Sequence, residues 1–309
     1  MATIEQELPK ESPSEALFQS YLKAPTLAIP TVLIFIGVMA GLATVWYYAL
    51  AGALPLWQGA LMNGLLTYWL FSVIHDASHH SLSSIKPINE TLGAIGLFFL
   101  FPYAPMVALR WVHNKHHIHA NGPMDPDRFE HDATWWQAPF KWSFFDGYYI
   151  YYFFKYGMKV VKRHLVSLIM YYSALVALFV TALYFGYGYE LFMLWFIPSR
   201  ITVFLICVVF VILPHAPGTV GQEQDKYMAT TMRMGWEWLL TPVLVYQNYH
   251  LIHHLWPEIP FYKMHRAWYL KYDEINAENI SVQTAFGVTP ANIESHINFD
   301  HSKHPVVPA

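Results

Sequence analysis

The sequence predicts an all-α integral membrane protein with four transmembrane helices, a re-entrant or interfacial segment and a cytosolic helical cap that carries clustered histidines. Three observations support this fold class. Of the 309 residues, 55% are hydrophobic and only 13% are charged, which is too apolar for an ordinary soluble domain. Several uncharged apolar runs are long enough to cross a bilayer. Most of the 17 histidines are concentrated in a few short motifs.

Four apolar runs, each about 20 residues long, are predicted to cross the membrane. They are Leu27 to Leu50, Leu56 to Ile74, Leu165 to Tyr184 and Leu191 to Leu213. The segment from Thr91 to Leu109 is also apolar, but Pro102 and Pro105 interrupt it. A full crossing there would place the first two histidine motifs on opposite sides of the membrane. We therefore expect this segment to be re-entrant or interfacial.

The membrane domain is predicted to cover residues 26–272, between a polar, partly disordered N-terminal segment (1–25) and a polar C-terminal tail (273–309). Neither predicted outer loop, near 51–55 and 186–190, contains a lysine or an arginine. By the positive-inside rule, both chain ends and the histidine motifs are cytoplasmic, and in a bacterium the membrane is the inner (cell) membrane.

Charge and cysteine content exclude further classes. The net charge of −3 argues against a nucleic-acid partner. The single cysteine, Cys207, excludes an intramolecular disulfide and a Cys-x-x-Cys site.

The histidine motifs have the spacing that places imidazoles on one face of a helix, at i, i+3 and i+4 or at i, i+4 and i+5. They contain His75, His79 and His80, then His113, His116 and His117, and finally His250, His253 and His254. His215 stands at the end of the fourth crossing and joins them as a candidate ligand. Neutral imidazole binds iron, zinc, copper and nickel, and packing alone does not generate three such groups in a membrane-embedded chain. The sequence therefore predicts a site for more than one metal ion.

Neighbouring carboxylates and amides are candidates for orienting the imidazoles through their outer ring nitrogens. They are Asp76, Asn121, Asp125, Asp127 and Asn248. For Asp125 and Asp127, a role in forming the turn explains their presence as well as a role in orienting an imidazole does. Whether His80, His119 and His131 bind metal stays open, whereas the isolated histidines are interpreted as surface residues. These are His164, His265, His296, His301 and His304.

The histidine boxes HxxxH at 75–79 and HxxHH at 113–117 and 250–254, set among four membrane helices, resemble those of the membrane-bound fatty acid desaturase and hydroxylase superfamily. Within it, longer stretches resemble the desaturase-type β-carotene 3-hydroxylases. These stretches are HDASH at 75–79, Asp-Pro-Asp at 125–127, Leu-Pro-His at 213–215 and QNYHLIHHLWPEIPFY at 247–262. The likeness runs from about residue 70 to residue 270.

The resemblance implies a non-haem di-iron enzyme with two iron ions that uses O2 as co-substrate. It implies hydroxylation of the β-ionone ring of a carotenoid, which converts β-carotene to cryptoxanthin and zeaxanthin. Electrons would come from a separate ferredoxin-like or similar carrier. One departure is Val211, which stands where acyl-CoA desaturases commonly have an asparagine. This difference indicates that the chain belongs to a branch of the superfamily other than the acyl-CoA desaturases.

Alternatives stay open at this point. The same ligand set serves a fatty-acyl desaturase, because rebound of a hydroxyl gives an alcohol and a second hydrogen abstraction gives an alkene. A membrane metal transporter is a more remote alternative, since transporters place ligands near the bilayer midplane. The aromatic run 135–154 is either a wall of the site for a hydrophobic, lipid-soluble substrate or an interfacial belt. A basic stripe at 155–163 is a candidate site for a CoA phosphate, for an acidic electron carrier or for anionic lipid head groups. It consists of Lys155, Lys159, Lys162 and Arg163.

Overall fold

The computed structural model of the protein describes residues 12–216 and 218–287, and this part of the chain is mostly helical. The helices are α1 (Pro13–Tyr21), α2 (Ile29–Leu50), α3 (Leu56–Tyr68), α4 (Leu70–Ser78), α5 (Lys86–Leu100), α6 (Met106–His119), α7 (Arg128–His131), α8 (Ala138–Ser143), α9 (Phe145–Tyr156), α10 (Met158–Arg163), α11 (Leu165–Tyr184), α12 (Gly188–Leu191), α13 (Ile197–Ile206), α14 (Leu213–His215), α15 (Glu237–Val243), α16 (His250–Leu255), α17 (Met264–Leu270) and α18 (Tyr272–Asn276). The strands are β1 (Thr231–Met234) and β2 (Ser281–Thr284).

Within the described residues, three helical stretches are long and apolar enough to cross a membrane. They are α2, α11 and the continuous stretch Gly188–His215, which contains α12, α13 and α14. The predicted second crossing is helical too, but it is divided at Trp69 into α3 and α4. The structure thus supports three of the four predicted crossings as single helices, and the four-crossing topology stays a prediction.

The stretch Gly188–His215 widens twice into π-helix, over Phe192–Phe196 and Cys207–Ile212. A proline follows each widened segment. Pro198 has no N–H to bond the carbonyl of Leu194 one turn earlier, and the buried Nδ2 of Asn63 donates to that carbonyl instead, at 2.9 Å. A side chain of α3 thereby supplies a donor to a backbone carbonyl where the proline has none.

We number the histidine boxes in chain order: box one is 75–79, box two is 113–117 and box three is 250–254. The apolar segment between boxes one and two is not a continuous helix, and its break lies at the two prolines, as predicted. Helix α5 ends at Leu100 and α6 begins at Met106, after Pro102 and Pro105. Helix α5 lies very close to α4: a Cβ on Gly93 would be 2.8 Å from the Cβ of Ala77. This close packing returns the chain so that α6 starts beside the end of α4, where box one lies.

A buried ion pair joins α9 to α13. The guanidinium of Arg200 donates to both carboxylate oxygens of Asp146, at 2.9 and 2.6 Å, and to the carbonyl of Ser143. Phe144 and Phe196 lie over its planar face. The charge predicted inside the fourth crossing is therefore compensated by a carboxylate from the aromatic segment.

Three features differ from the sequence prediction. The fold is not purely α-helical, because β1 and β2 form a two-stranded parallel sheet. The predicted polar tail contributes β2 to that sheet, so its described part is folded. In the N-terminal segment, α1 packs Phe18 against Trp256, with ring centroids 4.9 Å apart. Residues 1–11 and 288–309, which include His296, His301 and His304, lie outside the described residues.

We expect Arg200→Leu to lower the free energy of unfolding by about 3–5 kcal/mol, because it leaves the Asp146 carboxylate buried without a cationic partner. Thermal unfolding in detergent measures this loss. Arg128→Leu is the control, since Arg128 pairs with Asp132 at 3.4 Å on an exposed surface and its loss should cost less than about 1 kcal/mol. Equal losses in the two variants would contradict a special role for the buried pair.

Candidate metal centre

Each group of candidate ligands lies at the end of a helix or in a short helix. Box one ends α4, box two lies in the second half of α6, and His215 ends α14. Box three forms α16, which follows two consecutive residues in the left-handed region, Val245 (φ 49°) and Tyr246 (φ 64°). A β-branched residue rarely adopts that conformation, so this turn is strained. It redirects the chain from α15 into box three.

The first set of imidazoles, cluster A, contains His75, His79, His113 and His253. The Nε2 atoms of His75 and His253 lie 2.9 Å apart, and those of His79 and His113 also lie 2.9 Å apart. One candidate ligand atom from each residue lies within 4.8 Å of the other three. Cluster A therefore joins box one, box two and box three.

The second set, cluster B, contains His116, His215, His250 and His254. The Nε2 atom of His215 lies 3.1 Å from that of His116 and 3.0 Å from that of His250. All four residues are buried. Cluster B thus joins boxes two and three to the end of the Gly188–His215 stretch.

Boxes two and three each contribute to both clusters. His113 belongs to cluster A and His116 to cluster B, and three residues along a helix advance it by about 4.5 Å. His117 lies between the clusters: its Nε2 is 3.2 Å from that of His113, and its ring centroid is 4.4 Å from that of His254. The structure therefore brings together nine of the ten histidines predicted as ligands.

The structure does not bring His80 into either cluster. Its φ is 58°, so the chain leaves the helical path directly after His79, and its side chain is exposed. His119 pairs with Glu223 at 2.9 Å, and the ring of His131 lies 6.3 Å from that of His215. Neither of these two histidines joins a candidate metal group among the described residues.

The two predicted aspartates of the 121–127 turn do contact an imidazole. The Nδ1 atom of His116 lies 2.9 Å from Oδ1 of Asp125 and 3.2 Å from Oδ2 of Asp127. Asp125 also accepts from the backbone N–H of Asn121 and of Asp127. Turn formation and orientation of an imidazole are therefore combined in the same residue.

Other acceptors face the outer nitrogens of cluster B. Gln247 accepts from Nδ1 of His250 through Oε1, and the carbonyl of Ala229 lies 3.3 Å from Nδ1 of His215. Asn121 does not touch an imidazole, but its amide donates to the carbonyls of Ala229 and Val220 and so holds the loop behind His215.

Asp76 and Asn248 contact other groups than those predicted. Asp76 is buried and accepts from the hydroxyl of Thr31 at 2.8 Å and from the backbone N–H of Phe261 at 3.1 Å. It thereby ties box one to α2 and to the segment after box three. The amide of Asn248 donates to the hydroxyl of Thr241. Neither side chain contacts an imidazole of the clusters.

Burial, reinforced by neighbouring imidazoles, lowers the pKa of the box two and box three histidines well below the usual value, with one exception. The lowered residues are His113, His117, His250, His253 and His254. Burial also opposes protonation of His116, but the carboxylates of Asp127 and Asp125 outweigh it and raise its pKa to about 9. The five lowered residues are neutral at pH 7, which is the form that binds metal.

The clusters fit metal ions. A metal–nitrogen distance of about 2.1 Å places two ligands at right angles about 3.0 Å apart, close to the observed 2.9–3.1 Å between Nε2 atoms. Among the described residues, neither ring nitrogen of His254 has a hydrogen-bond partner, although both are buried. A bound ion would satisfy such a nitrogen. The clusters are therefore suited to two ions, one in each.

A narrow, mainly apolar cavity of about 30 Å³ lies against both clusters. His75 and His113 of cluster A line it, as do His116 and His250 of cluster B. The remaining wall is mainly aromatic and aliphatic. It includes Phe71, Phe101, Phe145, Ile206, Phe210 and Val211.

Two supporting residues were not predicted. Gln247 stands three residues before His250, and that helical spacing could have identified it. Tyr149 lines the cavity and donates its hydroxyl to Asp127, the partner of His116. No local spacing links Tyr149 to the boxes, because it belongs to α9.

We expect His253→Ala and His250→Ala each to retain about half of the metal bound by the wild type, since each removes a ligand from one cluster only. Metal analysis of the purified protein measures this. His80→Ala is the matched control and should retain all of the metal. An equal loss in His80→Ala would contradict the exclusion of His80 from the site.

The chain is similar to several known enzymes over most of its length. The sequence is 27% identical over 222 residues to a β-carotene ketolase of Paracoccus sp. (strain PC1), covering 70% of this chain and 81% of the relative. A second β-carotene ketolase, from Paracoccus sp. (strain N81106 / MBIC 01143), is 27% identical over 81% of this chain and 95% of its own length. A dihydrorhizobitoxine desaturase of Bradyrhizobium elkanii is 25% identical over 72% of this chain and 67% of its own length.

The sequence model of the fatty acid desaturase family matches residues 51–284. The superfamily resemblance seen in the histidine boxes is thereby confirmed. Because the match covers most of the chain and contains every residue of both clusters, the protein belongs to the fatty acid desaturase family.

Proposed function

We propose that the protein is a membrane-bound, O2-dependent di-iron oxygenase that hydroxylates the β-ionone ring of a carotenoid such as β-carotene. The cavity is the observation that carries this proposal, because it is apolar and is lined by histidines of both clusters. Members of the family generally hold two iron ions, and clusters A and B would supply four imidazoles to each. Iron bound there supplies the O2 activation that cleavage of an unactivated C–H bond requires.

The chain's own residues bind and orient the substrate. Among the described residues that line the cavity there is no lysine or arginine, and its one carboxylate, Asp127, is engaged by Tyr149 and His116. Such a wall suits a hydrocarbon ring without a charged head group. The aromatic side chains also exclude water from the space beside the clusters.

The relatives support this substrate class and leave two further outcomes to test. Two of them are β-carotene ketolases by name, so oxidation of the ring to a ketone is a second candidate. The third is a desaturase, so fatty-acyl desaturation is the remaining alternative. We further propose that a separate ferredoxin-like carrier supplies electrons and that both chain ends and the histidine boxes face the cytoplasm.

Pigment chromatography of a β-carotene-accumulating bacterial host tests the proposal. Expression of this chain together with a ferredoxin system should convert β-carotene to cryptoxanthin and zeaxanthin. Ketone products would show that the enzyme oxidises the same ring to a ketone instead of hydroxylating it. Unchanged β-carotene, with iron-loaded protein in the membrane, would overturn the carotenoid proposal, and fatty-acid profiling of the same cells would then test desaturation.

Filling the cavity should remove activity without removing metal. We expect Val211→Phe to lower carotenoid turnover at least about tenfold, because the added ring occupies space beside the clusters. Val176→Phe is the control, since Val176 is an exposed residue of α11. Turnover by chromatography and bound iron are measured on the same preparations. Wild-type turnover in Val211→Phe would contradict binding of the substrate in this cavity.

A further inference from the structure

The proposed function requires electrons from outside the chain, and the two clusters differ in their distance from the surface. All four residues of cluster B are buried, whereas His79 and His113 of cluster A are half-buried. Each of these two residues is followed by an exposed residue, His80 and Asn114 respectively. Cluster A is therefore the part of the centre that a surface-bound partner approaches most closely.

An open groove lies over this side of cluster A. Its volume is about 610 Å³, and both His80 and Asn114 line it. Arg110 forms part of its floor and donates to the carbonyls of Ala77 and Ser78, at 3.2 and 3.1 Å. The floor of the groove is thus bonded directly to the backbone that carries box one.

The charges around the groove are predominantly positive. Glu90 is the one carboxylate among its described lining residues, and Arg110 neutralises it at 3.0 Å. Lys86 also lines the groove, and Nζ of Lys115 lies 5.7 Å from the ring centre of Trp111 in its wall. Helix α10, which contributes Val160 to the groove, carries three further exposed cations. They are Lys159, Lys162 and Arg163.

The arrangement of these cations favours a protein over a single phosphate group. Arg110 already donates to a carboxylate and to two carbonyls, so its guanidinium is not free to be the main ligand of a phosphate. Lys86 of α5 lines the groove, and Lys115 of α6 lies one helical turn after Trp111 of its wall. A spread of positive charge around an aromatic wall is complementary to an acidic protein surface and steers its association.

From this we infer that the groove lined by His80, Lys86, Arg110 and Trp111 is the docking surface for a small acidic electron-transfer protein. The inference rests on the proposed function. With iron bound, each encounter would oxidise the carrier by one electron and reduce one ferric ion to ferrous, so two encounters would supply two electrons. The contact is brief and salt-sensitive, as interfaces of redox partners are.

Binding of a purified acidic [2Fe–2S] ferredoxin to the full chain in zwitterionic nanodiscs tests the inference. The double variant Lys86→Glu/Lys115→Glu should weaken the Kd at low salt about tenfold or more, and its Kd should depend less on salt. Lys226→Glu is the matched control: Lys226 is exposed in the 218–229 loop behind cluster B and should change the Kd less than twofold.

Anaerobic stopped-flow reduction of the iron-loaded protein by the same ferredoxin gives a second readout. The second-order rate should fall in the double variant and stay unchanged in Lys226→Glu, while reduction by dithionite stays unchanged in both. Neither readout requires a carotenoid. Failure of docking is therefore distinguishable from failure of the proposed oxidation.

Three results would overturn the docking surface. The first is wild-type binding and reduction of the double variant, and the second is an equal loss in Lys226→Glu. The third is a double variant that binds ferredoxin normally but loses an anionic phospholipid that co-purifies with the wild type, since the groove would then be a lipid site.

Discussion

Nine imidazoles packed within contact distance must each find partners for their ring nitrogens, because an unpaired polar group in a dry interior costs free energy. The surrounding structure supplies such partners to three of the four histidines of cluster B. The 121–127 turn presents two carboxylates to His116, Gln247 presents an amide oxygen to His250, and the loop before β1 presents the carbonyl of Ala229 to His215. That loop continues directly into β1, which pairs with β2, so the two-stranded sheet helps to hold the Ala229 carbonyl beside His215.

The histidine positions could be predicted because ligand spacing is a local property of the sequence. Intervals of three and four residues identify eight of the nine residues that converge, and His215 was predicted from its position at the end of the fourth crossing. His80 shows the limit of spacing alone: a left-handed backbone at the helix end turns it outward. Contacts between distant segments leave no local pattern. Asp76 stands beside His75, yet its partners are Thr31 on α2 and Phe261 after box three.

The sheet and the broken second crossing were missed for related reasons. Strands β1 and β2 have four residues each and are separated by a long stretch of chain, so neither shows the alternation of a longer strand. The apolar run from Leu56 onward has a continuous composition, and nothing in it marks the interruption at Trp69. By contrast, Pro102 and Pro105 lack backbone donors, and they marked the break before α6 correctly.

Helix α6 separates the two surfaces that the proposed chemistry uses. Leu109, His113 and His116 face the apolar cavity, and Arg110, Trp111 and Asn114 face the basic groove. The two sets alternate with helical periodicity, so they lie on different faces of one short helix. That helix therefore separates the cavity proposed to bind a hydrocarbon from the groove proposed to bind a charged protein. Substrate and carrier therefore need not compete for the same surface.

His253 follows His75 by 178 positions in the chain, and this separation has a consequence for biogenesis. A ribosome adding about 5–20 residues per second needs on the order of ten seconds or more to make that interval. For most of that time box one and box two are complete, and neither cluster has its box three ligands. On the proposed function, stable metal loading would therefore be a late event, because a chain that stops before box three lacks ligands of both clusters.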